Sequence, residues 1–78
     1  MSGLAAEADQ RVLAKIRARE SGASAMDIAK ASLGARARRH STASLNLIGL
    51  SIAARLCGMG LIEPTRTNQF RLTRRSAA

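Results

Sequence analysis

The sequence predicts an α+β domain, mainly α, in which three helices are closed by a C-terminal β-hairpin. Three observations carry that expectation. Leu56-Cys57-Gly58-Met59-Gly60-Leu61-Ile62-Glu63 reads as a helix that ends in glycine and runs straight into a strand. Pro64 to Thr73 reads as a turn and a second strand centred on Phe70-Arg71-Leu72. Upstream, apolar residues recur at helical spacing in three stretches separated by serine and glycine.

Taken in order, Leu4 to Glu20 is rich in strong helix formers, with Ala5, Ala8, Val12, Ile16 and Arg19 on one stripe and Leu13 widening it. Glu7 and Asp9 come early and Arg17 and Arg19 late, which suits the helix dipole. Ser21-Gly22 ends the helix. Ser24 opens a short second helix, and Asp27 three residues on makes a variant of the capping box. Met26, Ile28, Ala29 and Leu33 supply its contacts, and Gly34 stops it.

Ala35-Arg36-Ala37-Arg38-Arg39-His40 has no large apolar residue. It is an extended turn or a prolongation of either flanking helix. Ser41, Thr42 or Ser44 can cap the third helix, which runs to about Gly58. Leu45, Ile48, Ile52, Leu56 and Met59 share the face that must meet the core, with Gly49, Ala53 and Cys57 on its flank. Small residues at that spacing let another helix approach closely, and the alanine-rich first helix is the expected neighbour. Leu61-Ile62-Glu63 and Phe70-Arg71-Leu72 are the strands, and Thr67-Asn68 the turn, since asparagine tolerates positive φ. Alternation puts Phe70 and Leu72 on one face and Arg71 on the other.

Seventy-eight residues are read as a single domain over 1–78, with a core over about 5–73 and a frayed basic tail at 74–78. Apolar residues make up 46% of the chain, but many are alanine and Phe70 is the only aromatic. At roughly 25 cal/mol per Å² such a core is modest, so dimerisation or a bound partner would be a natural support.

Of the formal charge of +8, residues 34–78 hold +7: eight arginines against Glu63 alone. That asymmetry predicts a basic surface suited to a polyanion, with phosphate contacts supplying much of the affinity.

Other classes find little support. Cys57 stands alone, which excludes an internal disulfide and zinc-ligand spacing; no metal or cofactor is expected, and a reduced, cytoplasmic setting is the default. The N-terminus has no basic segment followed by an apolar one, so it is not read as a secretory signal. Leu45 to Ile62 is interrupted by Asn46, Ser51, Arg55 and three glycines, which argues against a membrane span. His40 lies among arginines with no acid nearby to orient it, the carboxylates are scattered, and Gly58-x-Gly60 follows a helix where a phosphate loop would precede one. An enzyme, or a small-molecule substrate, is not expected.

Helix, short helix, turn, long helix and hairpin is the order of the winged helix-turn-helix superfamily. Within it, Ile52 to Glu63 is similar to the stretch joining recognition helix to wing in many bacterial regulators. The resemblance covers roughly residues 9–73 and implies a bacterial- or phage-type transcriptional regulator that binds double-stranded DNA. It implies that the third helix lies in the major groove and the hairpin touches the neighbouring backbone or minor groove. On that basis Arg36, Arg38, Arg39 and His40 flank the groove, Ser41, Thr42, Ser44 and Asn46 sit nearest the bases, and Arg66, Asn68 and Arg71 serve the hairpin.

One departure from that pattern opens a second reading. The outward face of the third helix carries Leu47, Leu50 and Ala54, where a DNA-reading helix would be polar. Such a strip suits a protein interface, either a homodimer or a different partner. Structured RNA would fit the same basic surface, but only Phe70 could stack on a base.

Overall fold

A computed structural model describes residues 3–73; the tail expected to fray, 74–78, lies outside the described residues. The chain forms three helices and a two-stranded antiparallel sheet, in the order α1 (Gly3–Ala18), α2 (Ala25–Leu33), α3 (Thr42–Gly58), β1 (Ile62–Pro64) and β2 (Phe70–Leu72). A short 3-10 helix, Gly34–Arg39, joins α2 to α3.

α1 buries Val12 and Ile16 completely, or nearly so, and ends two residues before the expected Glu20. Arg19 N–H donates to the Ile16 carbonyl at 3.1 Å and Gly22 N–H to the Arg19 carbonyl at 3.0 Å. These tight turns carry the chain off the helix axis, and Arg19 becomes exposed rather than continuing the apolar stripe.

The capping box of α2 is complete. Ser24 Oγ accepts from the Asp27 N–H and Asp27 Oδ2 accepts from the Ser24 N–H, both at 3.2 Å. Ile28 and Ala29 are fully buried, and Gly34 caps the far end. The arginine-rich connection prolongs neither helix as α-helix. Its 3-10 turns expose Arg36, Arg38 and Arg39 while Ala37 points inward against Ala29 and Leu45.

Of the three capping candidates for α3, Ser41 does the work: its side chain accepts from the Ser44 N–H at 3.1 Å. The buried arc is centred on Leu45, Gly49, Ala53 and Leu56, with Ile48 and Ile52 half-buried at its edge. Two expectations change here. Met59 is 55% exposed, because the chain turns away immediately after Gly58. The close neighbour of Gly49 is α2, not α1: a Cβ at this position would lie 1.8 Å from the Ala25 carbonyl oxygen.

Past α3, the Gly60 N–H donates to the Cys57 carbonyl at 2.9 Å and the Leu61 N–H to the Leu56 carbonyl at 3.1 Å. This is the Schellman arrangement, and it requires the positive φ of 78° that Gly60 supplies. The helix-to-strand reversal read from Gly58-Met59-Gly60 therefore rests on the second glycine.

In the hairpin, Ile62 faces Leu72, Glu63 faces Arg71 and Pro64 faces Phe70. Asn68 has a φ of 60°, as the turn expectation required. β2 has a second neighbour. Ala23, between α1 and α2, exchanges hydrogen bonds of 2.8 and 2.9 Å with Phe70. Ala23 is fully buried with Val12, Ile16, Ile28, Ala53, Leu56 and Ile62, so the hairpin is fastened to the helical core.

Candidate nucleic-acid interface

Which cations are available depends on which are already engaged. Arg11 donates to the carbonyls of Ala31 (3.2 Å) and Ser32 (2.8 Å), tying α1 to the last turn of α2. Arg19 lies 3.5 Å from Asp27, and Arg71 Nε 2.7 Å from Glu63 across the hairpin. Arg55 grips Asp9 of α1 with two hydrogen bonds of 2.6 and 2.8 Å. By contrast, Arg36, Arg38, Arg39 and Arg66 are exposed and form no ion pair with another described residue.

Three of those four are consecutive or alternate on one rigid turn. Buried Ala37 anchors it from below, and the His40 N–H closes it onto the Ala37 carbonyl at 3.1 Å. The turn leads directly into the N-terminus of α3, where unpaired backbone N–H groups favour a negative ligand. His40 and Thr42 are exposed beside it. Ser41 and Ser44 are more committed than expected, because their hydroxyls lie 3.2 Å apart within the cap and Ser44 is half-buried.

Farther along α3, the exposed Asn46 and Leu50 face the hairpin across a groove of about 410 Å³. Ser24 and Met26 at the start of α2 form one end, and Pro64, Asn68 and Phe70 form the opposite wall. The groove therefore brings together Asn46 and Asn68, both expected to meet nucleic acid, with Leu50, expected to meet protein. Leu47 is 68% exposed and Leu50 45%, and Ala54 is exposed beside them.

Among the described residues no three His, Cys, Asp or Glu side chains gather where an ion could sit. Cys57 is half-buried against the core, and burial raises its thiol pKa above the ordinary value. No described helix is long and apolar enough to cross a membrane. Compared with known protein families, curated proteins and solved structures, the chain matches none.

The Asp9–Arg55 pair has a measurable consequence. Hydrogen bonds from Arg55, together with its charge, hold the Asp9 carboxyl below its ordinary 3.8 against the opposing effect of burial. Burial likewise pushes the Asp27 carboxyl up, but the two Ser24 hydrogen bonds and the nearby Arg19 and Lys15 outweigh it, leaving that pKa lowered too. A carboxylate whose folded pKa lies below its unfolded one stabilises the fold fully above the unfolded value. That contribution is lost as pH falls through 3.8 toward the lowered folded values. The thermal midpoint should therefore drop as pH falls below about 5 and on through 3.8. Asp9→Asn should flatten the drop, and a variant that keeps the parent's full acid slope would refute this assignment.

Sequence reasoning missed the Ala23 bridge, the Arg11 contacts and the Asp9–Arg55 pair. Ala23 is a single residue and shows no period. Asp9 and Arg55 stand 46 positions apart, with nothing local to connect them.

Proposed function

We propose that this chain is a winged-helix DNA-binding protein, a small transcriptional regulator acting in the cytoplasm on double-stranded DNA. The observation that carries the reading is the exposed trio Arg36, Arg38 and Arg39, which form no ion pair among the described residues, on an anchored turn at the start of α3. In a helix-turn-helix the second helix presents its N-terminal residues to base edges while basic side chains hold the flanking phosphates. Here the arginine trio and His40 take the phosphates, and Thr42 and Asn46 lie on the exposed edge of α3 nearest the bases. Asparagine can pair with adenine through two hydrogen bonds. Arg66 and Asn68, on the hairpin across the groove from Asn46, reach the adjoining backbone.

The test is duplex binding followed by fluorescence anisotropy as salt is raised from about 50 to about 200 mM. Binding through several phosphate contacts should weaken by orders of magnitude over that range. Affinity that is indifferent to salt would rule out the proposal.

A further inference from the structure

The outward side of α3 carries a pattern that DNA binding does not use. Ala43, Leu47, Leu50 and Ala54 are all exposed. At roughly 100° per residue they fall within about 60° of one another, making a narrow strip along the helix. Their separations are four, three and four residues, the spacing of a coiled-coil seam. The strip is also palindromic. Alanine, leucine, leucine, alanine reads the same from either end, and so does the spacing.

Charge distinguishes this strip from the rest of the surface. The chain carries +8, so two copies repel one another across most faces. α3 has one charged residue, Arg55, and its guanidinium is neutralised against Asp9 of α1 at 2.6 Å. The strip's rims are Asn46 and Cys57 on one side and Ser51 and Gly58 on the other, none of them ionised at neutral pH. The four strip side chains themselves offer a nucleic acid or an acidic peptide neither a cation nor a hydrogen bond. A second copy of the same strip fits it in both charge and register.

We propose that α3 pairs with α3 of a second copy, antiparallel and about a two-fold axis. Ala43 then lies opposite the partner's Ala54, and Leu47 opposite the partner's Leu50. The two alanine layers let the helix ends approach closely, and the leucines fill the centre. Such an isologous contact is the usual basis of a symmetric dimer. Its area is small, so association is reversible and weak at low concentration. With a rise of about 1.5 Å per residue, this register sets the two Thr42 positions about 20 Å apart along the paired helices. The arginine turns lie beyond them, at opposite ends of the seam.

The test needs no DNA, so its failure is separate from failure of the DNA-binding proposal. Sedimentation equilibrium of the chain from about 10 µM to about 1 mM should show the mass rising toward twice the monomer. Leu47→Glu should abolish the rise; since Leu47 is 68% exposed, circular dichroism should show the fold retained. In a Cys57→Ala background, Ala43→Cys and Ala54→Cys chains are mixed and oxidised. The mixed disulfide should exceed either like-with-like product by at least about tenfold, because only the mixed pair comes within disulfide range. A chain that stays monomeric throughout overturns the proposal. So does a mass rise unaffected by Leu47→Glu, or a statistical or like-with-like crosslinking pattern.

Discussion

Gly49→Ala is expected to remove a large part of the protein's stability. The added methyl would sit 1.8 Å from the Ala25 carbonyl oxygen and 2.5 Å from its carbonyl carbon, and both are backbone atoms of α2. A flexible side chain could swing aside; a helix start held by the Ser24–Asp27 box cannot. Relief requires α2 and α3 to separate, which opens the contact between Ala29 and Leu45. Overpacking typically costs about 1–3 kcal/mol, and a clash with backbone atoms belongs at the upper end of that range. A chain of this size has a total stability of roughly 4–12 kcal/mol, and one with so few large apolar side chains belongs at the lower end. Gly58→Ala is the control. Nothing lies within 4 Å of a Cβ there, and the position is helical. It should hold or gain roughly 0.5–1 kcal/mol from helix propensity. Urea unfolding of the two variants checks both signs, and a Gly49→Ala chain as stable as the parent would refute the α2–α3 packing described here.

Replacing Arg36, Arg38 and Arg39 together by glutamine is expected to have the largest effect on binding. Each lost phosphate contact removes about 0.9 from the slope of log affinity against log salt. Three such losses lower the slope by about 2.7. Over a fourfold rise in salt, the variant's affinity would then fall about 40-fold less than the parent's. Stability should change little, because all three side chains are exposed and the anchor of the turn is Ala37. The hairpin provides a graded comparison. Arg66 has no ion-pair partner among the described residues, whereas Arg71 is held by Glu63 at 2.7 Å. Arg66→Gln should therefore weaken binding more than Arg71→Gln. A triple variant with the parent's salt slope would show that this turn does not meet the phosphates.

Much of the local architecture is legible in the residues themselves. Ser24 with Asp27, Ser41 before a long apolar run, glycine after Met59 and asparagine at the hairpin turn each satisfy backbone groups within a few positions. Such signals need no knowledge of the rest of the chain. The candidate site was legible to the same depth. The cluster of arginines before α3 is visible in the sequence, but their freedom from ion pairing is not. Arg55 and Arg71 contribute as much formal charge as Arg36, yet both are consumed within the fold.

Sequence alone determined the order of the three α-helices and two strands, the Ser24–Asp27 cap, the position of the basic run and the uncharged strip on α3, because these depend on neighbours within about four residues. Tertiary structure alone decided which helix Gly49 meets, that Ala23 fastens the hairpin, that Met59 leaves the core, and which guanidinium groups are engaged within the fold. Periodicity defines a helix face without naming what will cover it. Those outcomes depend on contacts between residues far apart in the chain, and only the packed arrangement selects among them.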